Sequence, residues 1–142
     1  MTNHQAVRVV SYGLGPIGQA TVGHILDQPD LELVGAIDID PEKIGRTVGD
    51  LLGNSSASNV IIRSDVEAVL KEVSPAVVVH TTSSWLTDVE TQYLQILDCG
   101  CHVVSSTEEL AYPPVVAGVE IARRINEKAV SRERAILPVG VN

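Results

Sequence analysis

Residues 13–18, with the sequence GLGPIG, have the types and spacing that most directly indicate chemistry. They fit the pattern G-x-G-x-x-G and stand between an apolar β-branched run and a segment with helical periodicity. In that setting Gly13 permits a tight turn, Gly15 lets a pyrophosphate approach the backbone, and Gly18 lets the helix pack close to the sheet. Pro16, which is also predicted to contact the cofactor, suits the first helical turn, where its missing N–H costs little. We therefore predict a dinucleotide site at the helix N-terminus, with a ligand-free glycine turn as the alternative.

Asp38 follows the last glycine by 20 residues, at the end of a second predicted strand. A carboxylate at that place is expected to accept hydrogen bonds from the hydroxyls of the adenosine ribose, and a simple capping role is the alternative. The carboxylate also repels the 2′-phosphate of NADP, and Asp40 adds to the negative field. Arg46 is the one nearby cation expected to offset it. The pattern favours NAD as the cofactor and leaves NADP as the second choice.

Two hydroxyl-rich loops, at residues 80–84 and 105–109, follow two further predicted strands. Ligands of parallel α/β sheets bind outside the carboxyl ends of the strands, so both loops are expected to face the cofactor. The alternative for the first loop is a turn that caps the following helix. The loop residues predicted to contact the cofactor are Thr81, Thr82, Ser83, Ser106 and Thr107.

Three other residue types carry weaker signals. His80 stands alone at a strand end, where a hydrogen-bonded structural role is expected rather than that of a general acid. Trp85 is expected to pack beneath its loop. Cys99 and Cys101 are one residue apart, so in a strand they would point to opposite faces and serve as structural thiols. The sequence assigns no catalytic residue and no metal ligand.

Predicted strands and helices alternate along the chain and must position these residues. This alternation predicts an α/β fold with a doubly wound parallel (Rossmann) sheet of about six strands. We expect one domain over residues 1–142. The predicted strands are Val7–Tyr12, Leu31–Ile37, Val60–Ile62, Ala76–His80, His102–Ser105 and Arg134–Pro138. A helix is predicted from Pro16 to about Asp27, and a short one from Pro41. A broken helix and a loop are predicted over residues 45–59.

Later helices are predicted from start signals and periodicity. Ser64 with Glu67 and Thr87 with Glu90 have the spacing of capping boxes. Gly100 is expected to end the second of these helices. The face of the last helix is predicted to consist of Val115, Val119, Ala122, Ile125 and Ala129.

Composition excludes several classes of function. Of 142 residues 44% are hydrophobic and none is Phe, which predicts a core of Val, Ile, Leu and Ala. The net charge of -8 argues against nucleic acid and anionic membranes as partners. A polar N-terminus and the lack of a bilayer-length apolar run predict a cytoplasmic protein.

Four segments, residues 8–18, 38–41, 106–110 and 140–142, together resemble the N-terminal domain of dihydrodipicolinate reductase-type proteins. Within that family the sequence is most similar to the 2,4-diaminopentanoate dehydrogenase-like group. The resemblance covers essentially the whole chain. The glycine pattern is shared with many folds, and the last two segments are the more discriminating ones.

The resemblance implies that this domain binds NAD(P)H and that a following α+β domain binds the substrate and helps to assemble an oligomer. It places Ile17 with the three glycines on the pyrophosphate, Asp38 on the ribose and the two loops at the nicotinamide end, with Asn142 at the hinge between domains. Pro16 stands where typical reductases have a phosphate-binding Arg, which weakens the case for that particular reaction. The His-rich catalytic segment of the reductases belongs to the second domain.

We therefore expect the cofactor-binding part of a two-domain oxidoreductase, truncated before its substrate domain. The expected reaction is hydride transfer at a C=N or amine-bearing carbon of a small amino-acid-like substrate, in amino-acid metabolism. Three alternatives stay open: a natural stand-alone domain, a non-catalytic NAD(H)-binding or sensing module, and a domain for CoA or another nucleotide.

Overall fold

Short β-branched strands alternate with helices, as the sequence pattern predicts. The computed structural model describes residues 4–113 and 118–140. The strands are β1 Val7–Tyr12, β2 Leu31–Ile37, β3 Ile62–Arg63, β4 Val77–His80, β5 His102–Ser105 and β6 Ile136–Pro138. The helices are α1 Pro16–Asp27, α2 Val48–Leu51, α3 Val66–Val73, α4 Leu86–Asp98, α5 Glu108–Ala111 and α6 Gly118–Ser131.

All six strands join one parallel sheet in the order β3-β2-β1-β4-β5-β6. The prediction of a doubly wound Rossmann sheet is confirmed. In the sheet, Tyr12 at the end of β1 pairs with Ile37 on one side and His80 on the other. The chain reverses its direction of winding between β1 and β4, and a crevice opens outside the strands at such a switch point.

Two apolar layers cover the sheet, one on each face. The layer on the α1 and α2 side is built from Leu14, Val22, Ala36, Val48 and Ile62. The layer on the other side joins α3, α4 and α6 to the sheet around Tyr93, which is fully buried. Each buried Val, Leu or Ile contributes roughly 1.5–3 kcal/mol of transfer free energy, so the sheet holds its loops on a rigid base.

Neither predicted capping box forms. Asp65, one residue after Ser64, caps α3 by accepting a hydrogen bond from the Ala68 N–H at 2.9 Å. The helix α4 begins at Leu86 instead of after Thr87, because the Leu86 N–H donates to the Glu109 carboxylate of α5 at 2.8 Å. A contact from a distant element replaces the local cap.

The helix predicted from Pro41 is wrong, because residues 41–46 form turns. The Glu42 N–H donates to the Asp40 side chain at 2.9 Å, which closes the first turn. Gly45, with φ of +87°, then donates its N–H to the Ile62 carbonyl at 2.9 Å. This bond draws the chain back to the sheet before a helix can continue. The broken helix and loop predicted for residues 45–59 are confirmed.

Strand positions differ from prediction by small shifts. The third strand is Ile62–Arg63 at the edge of the sheet, whereas Ile61 instead bridges to Thr47 in antiparallel fashion. The fourth and sixth strands begin at Val77 and Ile136, one and two residues after the predicted starts.

The face of α6 also differs from prediction. Ile121, Ile125 and Ala129 are buried, whereas Val119 is 52% exposed and Ala122 is half-buried. The difference follows from the register in which α6 packs on α4, with its buried residues four apart. Val115 lies outside the described residues.

Both cysteines are free thiols, as expected for structural residues. Cys101 is buried, and burial raises the pKa of its thiol to about 11. Gly100 ends α4 with φ of +78°, which confirms its predicted place. Over residues 4–113 and 118–140, no three His, Cys, Asp or Glu side chains are grouped as metal ligands. Within the same ranges, no helix has the length and hydropathy required to cross a membrane.

Candidate cofactor-binding site

The turn between β1 and α1 is closed so tightly that two of its glycines leave no room for a side chain. Gly13 has φ of +99°, and a Cβ there would lie 2.6 Å from the Thr81 carbonyl oxygen. A Cβ at Gly18 would lie 2.0 Å from the Gly13 carbonyl oxygen. The Thr81 hydroxyl donates to that same carbonyl at 3.1 Å. The turn after β1 is therefore joined directly to the loop after β4.

The N-terminus of α1 is uncapped and open. Gly15 occupies the N-cap position without a side-chain hydrogen bond, and Pro16 follows as the first helical residue. A Cβ built on Gly15 would meet no atom within 4 Å. The N–H groups of Ile17 and Gly18 belong to the first turn, where an α-helix offers unpaired donors and a partial positive charge. These residues fit a diphosphate, the group that such a helix end binds.

Asp38 lies beside this turn, at the end of β2. Its Oδ2 accepts a hydrogen bond from the Leu14 N–H at 2.7 Å, and its Oδ1 accepts one from the Asp40 N–H at 2.9 Å. The side chain is only 10% exposed, so the backbone bonds fix its position. Each oxygen keeps a second lone pair, and these are free to accept from two neighbouring hydroxyls. The arrangement suits a ribose.

The cation next to Asp38 is Lys43, and the prediction of Arg46 in that place is wrong. Lys43 Nζ lies 3.9 Å from the Asp38 carboxylate and 3.5 Å from the Asp40 carboxylate. Arg46 instead pairs with Asp50 at 3.1 Å. The turn that replaces the predicted helix brings Lys43 back toward β2. The three-residue spacing of Asp40 and Lys43 was the signal in the sequence that could have indicated it.

A cleft of about 180 Å³ opens between Asp38 and the loop after β4. Of the residues predicted for the cofactor, it brings together Gly13, Gly15, Asp38, Thr81 and Thr82. It also includes residues that sequence reasoning missed, namely Tyr12, Leu14, Ile39 and Gln92. Ile39 is 81% exposed on one wall, and Gln92 comes from α4.

The other predicted loop residues lie outside this cleft and connect the loops to each other. The Ser83 hydroxyl donates to Asp88 at 2.8 Å at the start of α4. Thr107 is buried, and its hydroxyl donates to the Ser83 carbonyl at 2.7 Å. The Ser106 N–H donates to the His80 carbonyl at 3.0 Å. The loops after β4 and β5 are thus held side by side.

His80 is completely buried at the end of β4 and is fully hydrogen-bonded, which confirms its expected structural role. Its Nδ1 lies 3.0 Å from the Ser105 hydroxyl, and its Nε2 lies 2.6 Å from Gln92 Oε1 and 3.0 Å from the Thr82 hydroxyl. Burial is the main cause that lowers the pKa of His80 to about 4. The imidazole is therefore neutral at physiological pH.

Trp85 does not pack beneath its loop, so that prediction is wrong. The indole is 59% exposed. Leu86, the first residue of α4, is 1% exposed and takes the buried position instead.

Three features define a dinucleotide-binding Rossmann domain of the dehydrogenase class. They are the parallel sheet of this order, the open helix N-terminus at its switch point, and the acidic residue at the end of the second strand. Residues 13–117 match the family described as the NAD binding domain of homoserine dehydrogenase. The chain belongs to this family, and it is an NAD-binding domain.

Three similar proteins are oxidoreductases. The 4-hydroxy-tetrahydrodipicolinate reductase of Trichormus variabilis is 37% identical over 89 residues, which are 58% of this chain and 32% of the reductase. The 2,4-diaminopentanoate dehydrogenase of Acetoanaerobium sticklandii is 27% identical, over 97% of this chain and 39% of that protein. The structure of an amine dehydrogenase from Mycobacterium smegmatis matches with a TM-score of 0.86 and 30% identity, over 96% of this chain and 40% of that one.

These likenesses confirm the resemblance to dihydrodipicolinate reductase-type and 2,4-diaminopentanoate dehydrogenase-like proteins. The chain spans 32% of the length of the reductase and 39% of the length of the dehydrogenase.

Proposed function

We propose that this chain is the cofactor-binding part of an NAD(P)-dependent oxidoreductase that transfers hydride at a C=N or amine-bearing carbon of a small amino-acid-like substrate. The observation that carries the proposal is the near-complete coverage of the chain by two proteins named for amines, the 2,4-diaminopentanoate dehydrogenase and the amine dehydrogenase. A substrate domain, a cytoplasmic location and a homo-oligomer remain predictions.

Within this proposal, the chain's own residues bind and orient the cofactor. The first-turn N–H groups of α1 hold the diphosphate, and the carboxylate of Asp38 accepts from the adenosine ribose. The joined loops at residues 80–84 and 105–109 lie toward the nicotinamide end. When bound, the nicotinamide supplies or accepts the hydride. A second wall over the nicotinamide is needed to bind the substrate and exclude water.

A calorimetric titration of the chain with NAD⁺, NADH, NADPH and CoA tests the binding step. We expect saturable binding of the nicotinamide dinucleotides, with NADH bound more tightly than NADPH and no heat from CoA. The matched variant is Asp38→Asn, which keeps an oxygen for the Leu14 N–H but loses the charge. It should weaken NADH binding about tenfold, the effect of a lost charge-assisted hydrogen bond, and NADPH binding less. Equal losses would contradict the ribose assignment.

The choice of substrate is tested by absorbance at 340 nm with NAD⁺ and either 2,4-diaminopentanoate or a 2-hydroxy acid. Turnover of the diamine supports the proposal, and turnover of the hydroxy acid alone contradicts it. NADH binding without any turnover is expected both from a cofactor-binding part that lacks the second wall and from a non-catalytic binding or sensing module, so only turnover distinguishes these two functions.

A further inference from the structure

Arg134, two residues before β6, is the one cation without an acidic partner in the part of the chain that the structure describes. Every other Lys and Arg there lies within 4.0 Å of a carboxylate. Arg134 is half-buried. Its Nε donates to the Gly100 carbonyl at 2.6 Å and its Nη1 to the Glu133 carbonyl at 3.0 Å. These carbonyls fix the guanidinium but leave its other N–H groups without a partner.

The charge of Arg134 is offset only in part. Gly100 directly follows the C-cap of α4, and the partial charge at a helix C-terminus is about half an elementary charge. A guanidinium keeps its full charge at any physiological pH. An anion that reaches Arg134 would therefore meet an oriented cation whose charge is not yet paired.

His102, the first residue of β5, supplies a second donor beside Arg134. Its Nδ1 lies 3.0 Å from the Ala135 N–H nitrogen. A backbone N–H can only donate, so Nδ1 is the acceptor and the ring proton lies on Nε2. The imidazole is exposed, and its Nε2 has no hydrogen-bond partner among residues 4–113 and 118–140. Since β5 and β6 are neighbours about 4.8 Å apart, the two donors lie side by side.

A groove of about 550 Å³ is lined by both side chains. It crosses the amino ends of β1, β4, β5 and β6, where Arg8 and Ser74 also line it. Arg8 is paired only loosely, with its Nη1 3.9 Å from the Glu32 carboxylate. None of the described residues in the lining is Asp or Glu, although the chain has a net charge of -8. The groove therefore combines local positive charge with unused donors.

This groove lies at the opposite end of the sheet from the cofactor cleft. The strand β1 runs from Val7, in the groove, to Tyr12, in the cleft. Five steps of about 3.3 Å along the strand separate these residues by about 17 Å. An anion in the groove would not contact a diphosphate at the glycine turn, so both can be bound at once.

We propose that this groove binds a phosphate group, either as inorganic phosphate or as the ester of a small metabolite. The Arg134 guanidinium pairs with the phosphate charge and donates to one or two of its oxygens. The His102 Nε2–H donates to another oxygen. A planar carboxylate would be held by the guanidinium alone, whereas a tetrahedral phosphate has a further oxygen for the imidazole. Arg8 and Ser74 are left to contact the rest of an ester.

Calorimetric titration of the chain with inorganic phosphate and with glycerol phosphate tests this site. Sodium chloride keeps the ionic strength constant, and saturating NADH fills the dinucleotide site. We expect saturable binding of phosphate, and tighter binding of the ester shows that the rest of the groove is used. Arg134→Gln keeps an N–H for the Gly100 carbonyl but removes the charge. It should weaken phosphate binding about tenfold or more, the value of a charge-assisted hydrogen bond.

Arg132→Gln is the matched control, because it removes the same charge two residues away, where Arg132 pairs with Asp98 at 2.8 Å. It should leave the affinity for phosphate unchanged. His102→Asn is the second variant. Its amide oxygen can still accept from the Ala135 N–H, but the Nε2 donor is gone. This variant should weaken phosphate binding about fivefold, and it decides the matter if Arg134→Gln does not fold.

Three results would overturn the proposal. They are no saturable phosphate binding by the unmodified chain, an unchanged affinity in Arg134→Gln, and acetate bound as tightly as phosphate. The comparison of the two Arg variants is valid whether or not NADH binds. A failure of the proposed cofactor site is therefore distinguished from a failure of the phosphate site.

Discussion

Asp38 serves both the fold and the proposed cofactor site. One of its oxygens holds the glycine turn through Leu14 and the other holds the start of the next turn through Asp40. The spacing from the glycines predicted its position because strand, helix and strand have fixed lengths in this fold. Lys43, in contrast, reaches Asp38 only through the turns at residues 41–46, which the predicted helix concealed.

Lys43→Met should lower the affinity for NADPH about threefold to tenfold and change that for NADH less. Lys43 offsets the charges of Asp38 and Asp40, and without it the two carboxylates repel the 2′-phosphate more strongly. Fluorescence titrations at low and high salt measure the effect, which should shrink as salt screens it.

Arg46→Met provides the control, because this substitution also removes one positive charge, but from a residue that pairs with Asp50 instead of Asp38. It should leave both affinities unchanged. Equal effects of the two substitutions would mean that the field of the whole turn, rather than Lys43, determines the choice of cofactor.

At the scale of elements, α4 depends on a cap supplied by α5. Glu109→Ala should lower the free energy of unfolding by about 1 kcal/mol, the usual cost of a lost N-cap. The Leu86 N–H would lose its carboxylate partner. Glu109→Gln keeps an oxygen for this N–H and should lose less. Urea denaturation measures both changes, and an Ala variant as stable as the original chain would contradict the role of Glu109.

This cap shows where prediction from the sequence succeeds and where it stops. The predicted bounds are correct for α1 and for three of the six strands, β1, β2 and β5. They could be predicted because apolar periodicity and the Pro16 signal are local. The start of α4 was missed because its cap comes from a residue 23 positions away. The Thr87–Glu90 spacing is a valid local signal, but Glu90 instead pairs with Arg124 of α6 at 2.6 Å.

At the scale of the whole molecule, the buried His80 makes stability depend on pH. Its folded-state pKa of about 4 lies below the ordinary value of 6.5, so between these values the unfolded chain binds more protons. The stabilisation is fully present above pH 6.5 and is lost as pH falls through about 4. The loss should reach about 3 kcal/mol at its upper limit. Urea unfolding at a series of pH values measures it.

His80→Gln is the control for this dependence, since an amide can bond with Ser105 and Gln92 but does not titrate between pH 4 and 6.5. Its free energy of unfolding should fall less steeply over that range, because the contribution of His80 is gone. The slope that remains comes from the exposed carboxylates, which titrate alike in both proteins. If the two slopes agree, His80 is not the group responsible.

The hydrogen bonds of His80 explain why Gln92 of the candidate site escaped prediction. The sequence indicated a structural His, but its partners Ser105 and Gln92 come from β5 and α4, at separations of 25 and 12 residues. No local pattern records which side chains meet when separate elements pack on one sheet. The glycine turn and Asp38 were accessible because their spacing follows from one β-α-β unit.

The contacts between loops have a thermodynamic consequence. The Thr81 hydroxyl holds the turn after β1, and the Thr107 hydroxyl holds the loop after β4, so three segments already form one continuous rim. A dinucleotide that arrives there meets a surface whose shape is set in advance. Little conformational entropy is then lost on association, and more of the free energy of each new contact contributes to the affinity.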